Sequence, residues 1–163
     1  MKEKPMKASL IIILLVLSIS AFSQSTPHMR EADKVGIAEA QRLARLYANE
    51  IWEGMSDNAF TVLLIEGENE FLINHPYPDT TFSSIGVDSL LGSEVFVRSQ
   101  RFLPNFLATF PAVNGRNCIV VGTPEQTGIN STAWIITRLH EYFHIHQYTR
   151  PNCYQWADGL AMA

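Results

Sequence analysis

The chain has 163 residues, 12 of them basic and 16 acidic, for a net charge of −4, and 47% are apolar. That length suits one globular domain, and the acidic balance argues against nucleic acid or an anionic membrane surface as the main partner. Removing the first 23 residues takes away Lys2, Lys4, Lys7 and Glu3, which leaves 9 basic against 15 acidic groups, or −6.

Those first residues read as a secretory signal peptide. Three lysines precede the apolar run Leu10–Leu17, and Ala21 and Ser23 are the small residues before a cut at Gln24. The expectation is a secreted or periplasmic protein, residues 24–163 forming a single domain with no stable membrane association once the leader is gone. The competing reading is an uncleaved anchor, because the uncharged stretch is close to the lower length of a spanning helix, about 17 residues. Export would place Cys118 and Cys153 in an oxidising compartment, where either a bridge or two buried thiols is open.

From Glu31 the pattern is helical. Ile37, Ala40, Ala44, Tyr47 and Ile51 recur at spacings of three and four and are expected to share one buried face, with Glu31 and Asp33 in the first turn. Gly54 and Ser56-Asp57-Asn58 mark the stop. Phe60–Ile65 and Glu70–Asn74, separated by a turn over Glu66–Asn69, predict a β-hairpin. His75-Pro76-Tyr77-Pro78-Asp79 is a loop, since each proline removes a donor and restricts the residue before it. Residues 80–92 give no clear pattern. Glu94–Arg98 predicts a strand, and Phe106–Phe110 is a candidate for another. Asn114-Gly115 signals a tight turn into the strand Cys118–Val121. Gly122-Thr123-Pro124 ends that strand, and a polar loop runs to Asn130. A helix then covers about residues 133–149, capped by Ser131 or Thr132 and stopped by Pro151. Helix, strands, helix without βαβ alternation predicts an α+β domain with a mixed or antiparallel sheet.

The last helix carries His140-Glu141-Tyr142-Phe143-His144. At about 100° per residue, His140 and His144 lie about 40° apart, so both imidazoles can reach one metal ion. Glu141, about 100° round from His140, is placed to take a proton from a water at that metal rather than to act as a ligand like the histidines. The chain's own composition makes a chance match roughly one in a hundred. Two imidazoles and a carboxylate suit Zn2+. With His140 at 0°, Ala133, Thr137, Gln147 and Tyr148 surround the metal face. Ile135, Ile136, Leu139 and Phe143, on the arc from about 220° to 320°, are the expected packing face. His146 falls among these packing residues, on the wrong side for the same metal, and reads as structural.

Residues 131–148 resemble the zincin metallopeptidases, and Leu139–Gln147 looks most like the gluzincin branch, some members of which carry a glutamine at the position of Gln147. A metzincin would have glycine and histidine where this chain has Gln147 and Arg150. The resemblance implies a small sheet packed on the active-site helix, zinc as cofactor, and an edge strand before that helix that holds an extended peptide or protein substrate. Cys118–Val121 and Phe106–Phe110 are the two candidates for that edge. A gluzincin usually takes its third ligand from a later glutamate, and no Glu or His follows His146. Asp158 is the only acid downstream of the motif and is the candidate, with a helix-capping or surface role as its alternative. Residues 152–163 read as the beginning of a helix cut short, so a longer chain would be the other source of a third ligand. His75 as a remote ligand or oxyanion donor, and Tyr148 or Tyr154 as oxyanion donors, are weaker candidates. A solvated loop histidine and half-buried aromatics are the simpler readings. Asn130-Ser131-Thr132 also fits a glycosylation acceptor, though helix capping is simpler.

The expected function is zinc-dependent hydrolysis, foremost of peptide bonds. The alternative is a non-catalytic exported binding protein in which the same helix is a structural or relic metal site.

Overall fold

The computed structural model describes residues 26–150. The expected signal sequence, Cys153, Tyr154, Asp158 and Pro151 lie outside them. Helix α1 spans Glu31–Ile51 and ends before a 3-10 turn at Met55–Asp57. Six strands follow among the described residues: β1 (Val62–Glu66), β2 (Asn69–Ile73), β3 (Ser83–Asp88), β4 (Ser93–Ser99), β5 (Leu107–Val113) and β6 (Arg116–Gly122). A single turn, α2 (Pro124–Thr127), leads to α3 (Ser131–Tyr148). The strands form one sheet in the order β3-β4-β2-β1-β6-β5. Only the β1–β6 pair is parallel, so the sheet is mixed and the fold is α+β. No helix among the described residues is long and apolar enough to cross a membrane.

Strand β1 is buried on both sides, which is why its sequence is a continuous apolar run rather than an alternation. Val62 and Leu64 face the helices with Ile119, Val121, Phe71 and Ile73, while Leu63 and Ile65 face the opposite side with Leu72, Cys118 and Val120. The opposite side is covered by Phe82, Phe96, Phe102, Phe106 and Phe110. Phe102, Phe106 and Phe110 form a cluster with centroids 5.4–5.8 Å apart, Phe102 and Phe110 meeting edge-on and the other two pairs tilted. Cys118 is a free thiol here, fully buried, and burial pushes its pKa up to about 12.

The segment that brings Phe102 and Phe106 under the sheet hangs on one buried carboxylate. Glu70 on β2 accepts from Arg98 Nε at 2.7 Å and from the backbone N–H groups of Arg101 and Phe102 at 2.7 and 2.6 Å. The Arg98 guanidinium also lies 4.3 Å from the Phe82 ring centre.

The buried face of α1 is Ile37, Ala40, Gln41, Ala44 and Ala48, with Gly36 and Asp33 beside it. Tyr47 and Ile51, expected on that face, are 48% and 63% exposed. Tyr47 lies about 100° round from Ala48, and Ile51 sits in a last turn that outlasts the packing. The stripe is made of small residues because α3 comes close. The Trp134 ring lies against Gly36, where a Cβ would meet it at 2.7 Å, and Trp134 is held by an Nε1–H bond to the Gly122 carbonyl at 2.8 Å. Arg138 stacks on Trp134, its Cζ 3.3 Å from the ring centre, and donates to the Gly36 carbonyl; burial pulls its pKa down to about 9. Gly36→Ala is therefore expected to destabilise the protein by about 1–3 kcal/mol in chemical denaturation. Ordinary helix propensity, worth about 1 kcal/mol in favour of Ala, predicts the opposite sign.

The hairpin, the Asn114-Gly115 turn and α3 agree with the sequence reading. Asn114 and Gly115 both have positive φ, 46° and 70°, as a two-residue hairpin turn of this kind requires. Three details differ. Asn130, not Ser131 or Thr132, caps α3, its Oδ1 accepting from the Ala133 N–H at 2.9 Å. Residues 83–88, unpatterned in sequence, form the other edge strand, with a register shift between Ser84 and Gly86. Thr123 and Gln126 close a capping box around α2 inside what reads as a loop.

Candidate metal centre

Helix α3 buries Trp134, Arg138, Glu141, Tyr142, Ile145 and His146. These lie between about 100° and 240° on the wheel, so the packing face is rotated from the expected arc. Ile136 is 58% exposed, and Ile135, Leu139 and Phe143 pack only at the margin. The rotation follows from what α3 must cover. One flank meets α1 through Trp134 and Arg138, and the other meets β5, where Thr109 Oγ1 donates to the Glu141 carbonyl at 2.9 Å. This turns Glu141 inward, leaves His140 exposed and half-buries His144.

His140 Nε2 and His144 Nε2 are 3.1 Å apart. Two imidazole nitrogens bound tetrahedrally at about 2.0–2.1 Å would be separated by roughly 3.4 Å, so a small opening of the pair accommodates an ion. A Glu141 carboxylate oxygen completes a group whose ligand-type atoms all lie within 4.8 Å of one another. A shallow cleft of about 220 Å³ opens over this group, lined by Leu107, Ala108, Thr109, Glu141 and His144. Strand β5 pairs only with β6 among the described residues, so its outer edge is open beside the cleft. Pro111 interrupts its pairing, with a register shift between Phe110 and Val113, and proline is tolerated at such an edge. Of the two candidate edges, Phe106–Phe110 overlaps this strand. Cys118–Val121 is in β6, which lies between β1 and β5 and presents no free edge.

The other candidates fall elsewhere. His146 is buried, with Asn58 Nδ2 3.0 Å from its Nδ1 and Trp52 and Phe143 against its ring, so it is structural. Tyr148 is 43% exposed. Among the described residues, the metal-type group contains neither His75 nor any third histidine.

His75 is not the solvated loop residue expected. It is 6% exposed, and its Nδ1 accepts from the Tyr77 N–H at 3.1 Å. The loop is tied to the β5–β6 turn, where Asn114 Nδ2 donates to the Tyr77 carbonyl at 3.3 Å and the Arg116 guanidinium lies 4.8 Å from the Tyr77 ring centre. Burial lowers the His75 pKa below the ordinary 6.5, with the Val113 backbone opposing in part. The unfolded chain therefore binds more protons than the fold below about pH 6.5, so this residue makes stability fall as pH drops through 6.5 and level off below the folded pKa. Urea midpoints between pH 8 and pH 5 are expected to fall less steeply in His75→Gln than in the parent.

Sequence reasoning missed Thr109 and Leu107, whose only signal was their place in a candidate edge strand. No family model, curated protein or solved structure matches the chain.

Proposed function

We propose that the protein is a zinc-dependent hydrolase of the peptidase class, with Glu141 as general base. The observation that carries this reading is the pairing of His140 and His144 Nε2 at 3.1 Å beside a buried carboxylate, at the mouth of a cleft bordered by an open strand edge. When bound, zinc would polarise the scissile carbonyl and acidify a water. His140 and His144 would hold it. Glu141 takes the proton from the attacking water and returns it to the leaving nitrogen. The backbone N–H and C=O groups along the free side of β5 bind an extended peptide by strand addition, which recognises main chain and tolerates varied side chains. The bond from Thr109 to the Glu141 carbonyl fixes the distance between the strand that holds substrate and the helix that carries the base.

Asp158 remains the candidate third ligand. If it serves, Asp158→Asn weakens zinc binding without changing the fold, while Cys153→Ser does not.

The test is hydrolysis of a quenched fluorescent peptide mixture by purified protein. Turnover that stops with a chelator and returns with added zinc is expected. A chain that holds zinc but cleaves no peptide, with a melting temperature that falls on chelation, would point instead to the structural-site alternative.

A further inference from the structure

The histidine pair is not symmetric. Gln147 sits one turn beyond His144, half-buried, with Oε1 2.6 Å from His144 Nδ1. An amide oxygen only accepts, so Nδ1 carries the proton, and a neutral ring protonated there has its lone pair on Nε2. That lone pair faces His140 Nε2 at 3.1 Å, with the two rings edge-on at 89°. Two lone pairs so close would repel. The metal-free arrangement is therefore His140 Nε2–H donating to His144 Nε2.

We infer that Gln147 is a positioning residue that fixes His144 in the Nδ1–H form, so that His144 Nε2 is ready to bind a cation while His140 must first move its own proton from Nε2 to Nδ1. His144 is the preset ligand and His140 the one that rearranges. The carboxamide also fixes the ring's rotation about its bond to the helix, because the acceptor is held on the next turn of the same helix. A hydrogen-bonded partner on the far nitrogen is what orients metal-binding imidazoles in general, and its loss costs about 10–100-fold in metal affinity. The consequence for affinity rests on the proposed metal site, but the tautomer pair is a property of the metal-free protein.

The experiment is long-range 1H–15N correlation of the histidine rings in 15N-labelled, metal-stripped protein at pH 8, followed by zinc competition against a chromophoric chelator. In the parent, His144 is expected to show a protonated Nδ1 and an unprotonated Nε2, and His140 the reverse. Gln147→Leu should lose the His144 preference and bind zinc about 10–100-fold more weakly. Gln147→Glu, which keeps an oxygen acceptor, should retain both. His144 protonated at Nε2 in the parent, which would mean that the amide presents its NH2 group to the ring, overturns the inference, as does an unchanged His144 pattern in Gln147→Leu. If the tautomers are as stated but the parent binds no zinc, the positioning role stands and the hydrolase reading fails.

Discussion

Glu141→Gln is expected to lower peptide hydrolysis by about 10²–10⁴-fold, the usual contribution of a positioned general base, while zinc stays bound. The substitution keeps the shape of the side chain and removes only its basicity. Glu141 is 7% exposed and its carbonyl is tied to Thr109, so the residue's place depends on backbone and packing rather than on its charge. The melting temperature should change little. A large loss of zinc in Glu141→Gln would mean that the carboxylate is a ligand, and a small loss of activity would mean that another group takes the proton. Both outcomes are read from the same purified protein by steady-state rates and metal content.

The largest effect on stability is expected at Glu70, away from the cleft. Glu70→Leu should cost about 3–5 kcal/mol, because it takes away the close counter-charge of the buried Arg98 guanidinium, leaving Asp79 at 3.7 Å as its remaining acidic partner, and strands two backbone N–H groups. The carboxylate is fully buried and accepts three hydrogen bonds, two of them from the backbone that starts the loop under the sheet. Adding Arg98→Met should recover part of the loss, since it removes the poorly compensated buried charge, while the Arg101 and Phe102 N–H groups still lack their acceptor. Denaturant midpoints of the two single variants and the double variant measure the coupling. The loop also feeds into β5 through the Gly122 N–H bond to the Phe106 carbonyl, so Glu70→Leu should loosen the edge strand beside His144.

How much of this was legible depends on where each constraint lies. His140, Glu141 and His144 were readable because a local spacing puts them on one helix, and no distant part of the chain is needed to bring them together. The hairpin and the Asn114-Gly115 turn were readable for the same reason. The buried arc of α3 was not. Apolarity pointed to Ile135, Ile136, Leu139 and Phe143, yet the helix buries Arg138, Glu141 and His146, each of which has a contact on another element. The contacts that draw Arg138 and Glu141 inside lie on other elements and leave no local signal, whereas His146 already fell among the packing residues. On α1 the spacing gave Ile37, Ala40 and Ala44 correctly, but not Tyr47 and Ile51, and the close approach of Trp134 to Gly36 had no local signal. Strand β3 had no signal because it is an exposed edge with little to bury. The choice between Phe106–Phe110 and Cys118–Val121 as free edge needed the strand order, and only the parallel β1–β6 pairing decides it. The expected signal peptide, the Cys153 bridge and the Asp158 ligand concern residues outside those described.

The most direct measurement is the zinc content, by elemental analysis, of the purified protein after reconstitution, beside Glu141→Gln and His144→Ala. About one zinc per chain in the parent and in Glu141→Gln, and none in His144→Ala, is the expected result. Absence of zinc from the reconstituted parent, or equal zinc in His144→Ala, would contradict the assignment of His140 and His144 as metal ligands.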